Sequence, residues 1–147
     1  MGSHVAANLI ATVQGLYAAV GDPEDDLERF FTEDLVILEA PDLPYGGRFV
    51  GPRALRELIN YMNSAITAQN IVVERYAVGE GYVVASLRFD LVLRGGEFAT
   101  QHVVEEFTFA GPLIREIRPY YFSSSEIRRV AKADAGSVEA LSTWRPQ

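Results

Sequence analysis

From Val5 to Val20 the apolar residues Val5, Leu9, Ile10, Val13, Leu16, Tyr17 and Val20 recur at steps of three and four, which predicts an amphipathic helix. Gly21 and Asp22 end it. Pro23, with Asp22 as cap and Glu24, Asp25 and Asp26 in the first turn, predicts a second, short helix that buries Leu27, Phe30 and Phe31. Leu35 to Glu39 reads as a short strand running into a loop from Pro41 to Gly47, marked by its Pro and Gly content. Gly51-Pro52 opens a third helix with Leu55, Leu58, Ile59 and Met62 on one face. From Ile71 the period drops to two. Three long strands follow, Ile71 to Val78, Tyr82 to Leu93 and Phe98 to Phe109, separated by the glycine turns at 79–81 and 95–97. A last strand runs from about Leu113 to Phe122, and Ser123, Ser124 or Ser125 caps a terminal helix carrying Ile127 and Val130.

Helices first and an antiparallel meander afterwards predict an α+β domain. A strongly twisted sheet of long strands curls around the helices and leaves a cone-shaped cavity between the two. The 147 residues suffice for one domain, taken as residues 5–133. Residues 1–4 read as an expression scar, which removes His4 from any site. Residues 134–147 are small, polar and weakly patterned, and are expected to be mobile or to pack on a partner subunit.

Composition narrows the chemistry. The net charge of -7 leaves no basic face for nucleic acid. The absence of cysteine excludes disulfides, thiolate catalysis and Cys-ligated metals, and with His102 as the one native histidine a two-histidine metal site is excluded too. No phosphate loop or dinucleotide fingerprint occurs, so no cofactor and no metal are expected. No stretch approaches the roughly 18 to 20 apolar residues of a membrane span, and no secretory leader is visible, which makes the cytoplasm the expected location. Carboxylates, tyrosines, arginines and shape are what remain.

Alternation sorts the strands by face. Val83, Ala85, Leu87, Phe89 and Leu91 are expected to face the helices, as are Val103, Phe107 and Phe109; Glu105 shares their parity. A carboxyl group among apolar neighbours has a raised pKa and can donate a proton or hydrogen bond near neutrality. The alternatives are a Glu105 paired with Arg88, Arg115 or Arg118, or one reaching solvent at a strand end. His102 falls on the outer face. Tyr17 lies on the apolar face of the first helix, where its hydroxyl needs a partner. Tyr45, beside Gly46-Gly47, lines the mouth of the cavity or packs the loop.

Several short motifs carry a resemblance: Gly21-Asp22, Glu33-Asp34, Glu39-Ala40-Pro41, the run from Pro44 to Gly51 (Pro-Tyr-Gly-Gly-Arg-Phe-Val-Gly), and the closing run from Ile117 to Phe122 (Ile-Arg-Pro-Tyr-Tyr-Phe). Over residues 5–133 the chain resembles the SnoaL-like polyketide cyclases. These share the nuclear-transport-factor-like fold with ketosteroid isomerases and limonene epoxide hydrolases. The resemblance implies a cone with helices in the concave face of a curved, mainly antiparallel sheet. It implies an oxyanion-hole acid at Glu105, two residues before the Phe of the third long strand, and an oxyanion-hole tyrosine at or next to Tyr17. The isomerase general base sits immediately before the proline that ends the first strand. Here that position is Ala40, and the acidic residue common after the last strand's aromatic run is replaced by Ser123.

The expectation is therefore a cyclase of polyketide or related natural products. Glu105 and Tyr17 polarise a carbonyl, and a hydrophobic polyene or enone is folded against Tyr45, Phe49, Met62, Leu87, Phe89, Phe107 and Tyr121. With no base at position 40, this suits a [4+2] cycloaddition or a conjugate addition. The competing readings are an epoxide hydrolase or isomerase of the same fold, for which no inward Asp–Arg–Asp trio is found, and a non-catalytic binding module whose cone is filled by side chains. A homodimer through the outer sheet face, at Val84, Val92 and Val104, is expected from the resemblance together with that face.

Overall fold

The computed structural model describes residues 2–93, 95–130 and 144–145. Helix α1 (Ser3–Val20) buries Leu9, Val13, Leu16 and Ala19, the stripe its periodicity predicts. Strand β1 (Phe31–Glu39) and strand β2 (Gly47–Val50) form an antiparallel hairpin. Helix α2 (Ala54–Ala65) buries Ala54, Leu58, Tyr61 and Ala65. The meander follows as β3 (Ala68–Gly79), β4 (Tyr82–Val92), β5 (Phe98–Ala110) and β6 (Leu113–Tyr121). Helix α3 (Ser125–Val130) comes next, and β7 (Trp144–Arg145) pairs with β2. The expected character of the tail, residues 134–147, lies outside the described residues apart from that backbone pairing.

The strands form one sheet in the order β3-β4-β5-β6-β1-β2-β7, antiparallel throughout except for the parallel pair β1 and β6. Alternation holds as read. Val83, Ala85, Leu87 and Leu91 of β4 and Val103, Phe107 and Phe109 of β5 are buried, while Tyr82, His102 and Val104 are exposed. The inward residues meet Leu9, Val13, Leu16 and Leu58 of the helices in one core. Among the described residues no helix is long and apolar enough to cross a membrane.

Two local expectations fail. The helix read from Pro23 is replaced by turns and a single 3-10 turn at Glu28–Phe30. Asp22 and Asp26 each accept a hydrogen bond from the backbone two residues on, at Glu24 and Glu28 (2.9 Å each), the local side-chain bond that competes with helix. Arg56 of α2 donates to the carbonyls of Val20, Asp22 and Asp25, so tertiary contacts take up acceptors there. The second is β2: the sequence predicts a loop to Gly47 and assigns no element before the helix opening at Gly51, yet Gly47–Val50 pairs residue for residue with Val36–Glu39.

Candidate active site

The sheet register brings two carboxyl groups into one row. On the β5–β6 ladder Phe107 pairs with Ile117 and Glu105 with Pro119; on the parallel β1–β6 ladder Ile37 also pairs with Ile117. The β1–β6 pairing ends at Ile37 and Ile117; Glu39 follows two residues further along β1, as Pro119, the partner of Glu105, does along β6. Both point inward: Glu39 shares the alternation of buried Leu35 and Ile37, and Glu105 that of Val103 and Phe107. Side chains of this length, converging across a concave face, come close enough to sense each other's charge.

Each carboxyl has its own tyrosine. Tyr17 of α1 donates its hydroxyl to Glu105 Oε1 at 2.6 Å, while its ring meets Phe107 edge-on with centroids 5.9 Å apart. On the other side the hydroxyls of Tyr45 and Tyr121 share a hydrogen bond at 3.1 Å, and Tyr121 lies near enough to Glu39 to act on its carboxyl. Glu39 Oε2 is buried with no hydrogen-bond partner.

Burial sets the electrostatics. Loss of hydration pushes Glu39 well above the ordinary carboxylate range; the nearby Glu105 charge adds to this, and the Tyr121 hydrogen bond opposes it. Glu105, half-buried as a residue with its carboxyl turned inward, is also raised by burial, but the Tyr17 hydroxyl stabilises its anion. Two such groups titrate as a pair. Burial, followed by the Glu105 charge and the hydrogen bond, holds the Tyr17 phenol far above its ordinary value, so it stays a donor. Both carboxyls are thus raised, Glu39 the more strongly and Glu105 with its anion partly stabilised by Tyr17, an unequal pair of the kind that lets two like groups act as acid and base.

Beside this cluster a cleft of about 480 Å³ is lined by Ala40, Asp42 and the run from Pro119 to Ser125. Ser124 donates to Asp42 across it, linking the β1–β2 loop to the start of α3. Tyr121 is a wall of the cleft and also a neighbour of Glu39. Phe122 stands at the rim, 89% exposed.

The sequence-derived residues fall into two groups. Tyr17, Glu105, Phe107, Tyr45 and Tyr121 come together as described. Glu105 engages Tyr17 and not Arg88, Arg115 or Arg118. Met62 and Phe89 pack against the core from partly buried positions, and Leu87 is buried. Tyr45 and Phe49 have no exposed surface: Tyr45 is an interior group, not one at the mouth, and Phe49 is a core side chain. His102 is exposed on the outer face, 3.8 Å from Glu74. The residue that sequence reasoning missed is Glu39. Position 40, where the resemblance implies a base, is alanine, whereas the inward carboxyl belongs to the preceding residue. Its signal was the alternation Leu35, Ile37, Glu39.

Comparison with known proteins bears on the fold and the family. The family model of the SnoaL-like domain matches residues 13–117. No curated protein matches the chain. An NTF2-like protein of unknown function from Burkholderia pseudomallei is 18% identical, with a TM-score of 0.70, covering 84% of this chain and 97% of its own. A protein from Jannaschia described as a SnoaL-like polyketide cyclase is 15% identical, with a TM-score of 0.69, covering 88% and 96%. A hypothetical protein of ketosteroid isomerase-like fold from Catenulispora acidiphila, in complex with trimethylamine, is 15% identical, with a TM-score of 0.64, covering 81% and 91%. At these identities the likeness is one of fold, and the fold is the nuclear-transport-factor-like cone. With most of its length matched by the family model, the chain belongs to the SnoaL-like domain family.

Proposed function

We propose that the protein is a cyclase of polyketide-type carbonyl compounds in which two inward carboxyl groups act on the substrate, one as base and one as acid. The observation that carries this reading is the inward pair Glu39 and Glu105, with Tyr17 donating to Glu105 and Tyr121 beside Glu39. The family includes polyketide cyclases, which supports the substrate class. Glu105 as carboxylate takes a proton from the carbon next to a ketone, and Glu39 as acid hydrogen-bonds the ketone oxygen as it gains charge. The enol carbon then attacks a second carbonyl of the same chain. The new alkoxide takes the proton from Glu105, returning both carboxyls to their starting states. A stepwise closure of this kind needs a base, and Glu39 and Glu105 together supply base and acid despite Ala40. This favours it over the base-free cycloaddition or conjugate addition suggested by position 40 alone. Dimerisation through the exposed outer face, at Tyr82, Val104 and Tyr120, belongs to the same proposal.

Proton abstraction can be read without the natural substrate. In heavy water the protein is expected to accelerate deuterium uptake at the α-carbon of 1-tetralone, followed by NMR. Glu105→Gln is expected to lower that rate by about 10²- to 10⁴-fold. A Glu105→Gln variant exchanging at the wild-type rate overturns the base role.

A further inference from the structure

The cleft of about 480 Å³ at the end of β6 is large enough for a small organic molecule, and its walls are of two kinds. One is aromatic. Tyr120 is 49% exposed and Phe122 89% exposed, although the Phe122 backbone is pinned by the 3.0 Å hydrogen bond that its N–H donates to the His102 carbonyl. A ring left in water on a fixed backbone is a preorganised stacking face. The other wall is polar, built from Asp42 of the β1–β2 loop and the serines 123–125. Asp42 is the one charged side chain among the described residues that line the cleft.

The hydrogen bonds already made decide what the polar wall can offer. Ser124 gives its hydroxyl proton to Asp42 Oδ2, and one proton of the Ser123 and Ser125 hydroxyls is taken up in the 2.9 Å bond between them. Asp42 Oδ1 accepts no hydrogen bond among the described residues. The serine protons are thus largely committed within the wall, while a carboxylate oxygen and the serine lone pairs stay open. A wall that accepts more than it donates, with one negative charge beside aromatic faces, suits a cation bearing N–H groups. A carboxylate would meet like charge there, and a neutral alcohol would gain neither the charge attraction nor the cation–ring contact.

From this lining we propose that the cleft is a binding site for a small, ring-bearing organic ammonium. Its N–H groups donate to Asp42 Oδ1 and to serine oxygens, and it lies against the Phe122 and Tyr120 rings. The net charge of -7 favours the approach of such a cation. Ala40 and Pro119 close the inner end; Ala40 follows Glu39 in the chain and Pro119 pairs with Glu105, so a molecule seated here borders the carboxyl pair. The site does not depend on those carboxyls acting as acid and base.

Three probes of nearly one shape test this: benzylammonium, benzyl alcohol and benzoate, each titrated into the whole chain near neutral pH with the backbone amides followed by ¹⁵N NMR. Benzylammonium is expected to shift the amides of Asp42 and Ser123 to Ser125, and to bind about 3- to 30-fold more tightly than benzyl alcohol, as an exposed ion pair and a cation–ring contact together imply. Benzoate is expected to bind most weakly. Asp42→Asn keeps an acceptor for Ser124 and removes the charge; it is expected to cut the preference for benzylammonium by about 2- to 5-fold. Phe122→Ala, at a ring that the core does not use, is expected to weaken benzylammonium by about 2-fold or more. The proposal is overturned if the three probes bind alike, if benzoate binds best, or if the preference survives Asp42→Asn unchanged. Shifts that fall instead along the acidic segment Asp22 to Asp26 also overturn it, since they mark a general attraction of an acidic surface for cations. Exchange of 1-tetralone is read separately, so failure of either result leaves the other standing.

Discussion

Replacing Glu39 by Gln is expected to stabilise the protein, and to do so only above the ordinary carboxylate range. Glu39 has a folded-state pKa raised above that of the unfolded chain, so the folded form binds the extra proton. Stability from this site is complete below the unfolded pKa, near 4.5, and is lost as pH rises toward the folded value. Within that window each pH unit costs about 1.4 kcal/mol. Gln has nearly the shape of the protonated acid and cannot ionise. The difference in unfolding free energy between Glu39→Gln and wild type is therefore expected to be flat below pH 4.5 and to climb in favour of the variant above it. Until the folded-state carboxyl itself ionises, the climb should approach about 1.4 kcal/mol per pH unit, a sizeable share of an ordinary domain's stability. Urea unfolding followed by circular dichroism at half-unit pH steps measures this directly. A difference that does not change with pH refutes the reasoning, because it means that Glu39 ionises in the folded protein as it does in the unfolded one. A difference that changes in the opposite direction refutes it more strongly, by requiring a cation at the site.

Tyr17→Phe keeps the edge-on contact with Phe107 and removes the donor to Glu105; the Glu105 midpoint, read by carboxyl NMR, is expected to rise by about one to two pH units. Gly46→Ala introduces a methyl group against the Ala40 carbonyl, and urea unfolding is expected to show a loss of about 1 to 3 kcal/mol, with the Tyr45–Tyr121 contact displaced. A neutral Gly46→Ala would show that the 40–46 loop yields freely.

How much of this was readable beforehand depended on the range of the interaction. Helix α1 and the strands β3 to β6 declared themselves through period, and the same alternation placed Glu105 inside and His102 outside. Local chemistry was ambiguous where one residue serves two structures: Asp22 suits a helix cap and an Asx-type turn equally, and the choice was made by Arg56, 34 residues away. Strand β2 has little strand character of its own and exists because β1 offers it an edge. The parallel pairing of β1 with β6 joins segments about 80 residues apart and has no signature in either. That pairing is what sets Glu39 in the row of Glu105. Consequently one member of the carboxyl pair was legible and the other was not, although the alternation of Leu35, Ile37 and Glu39 held the clue.

The same long-range pairing has a kinetic corollary. Adjacent hairpins β3 to β6 close short loops and can assemble early, whereas docking β1 onto β6 must close a loop spanning most of the chain. Until that closure the β5 carboxylate sits on an open platform, hydrated and unopposed. In a folding order that follows loop length, the mutual repulsion of the two acids arises only when β1 docks on β6, after the scaffold that confines them exists.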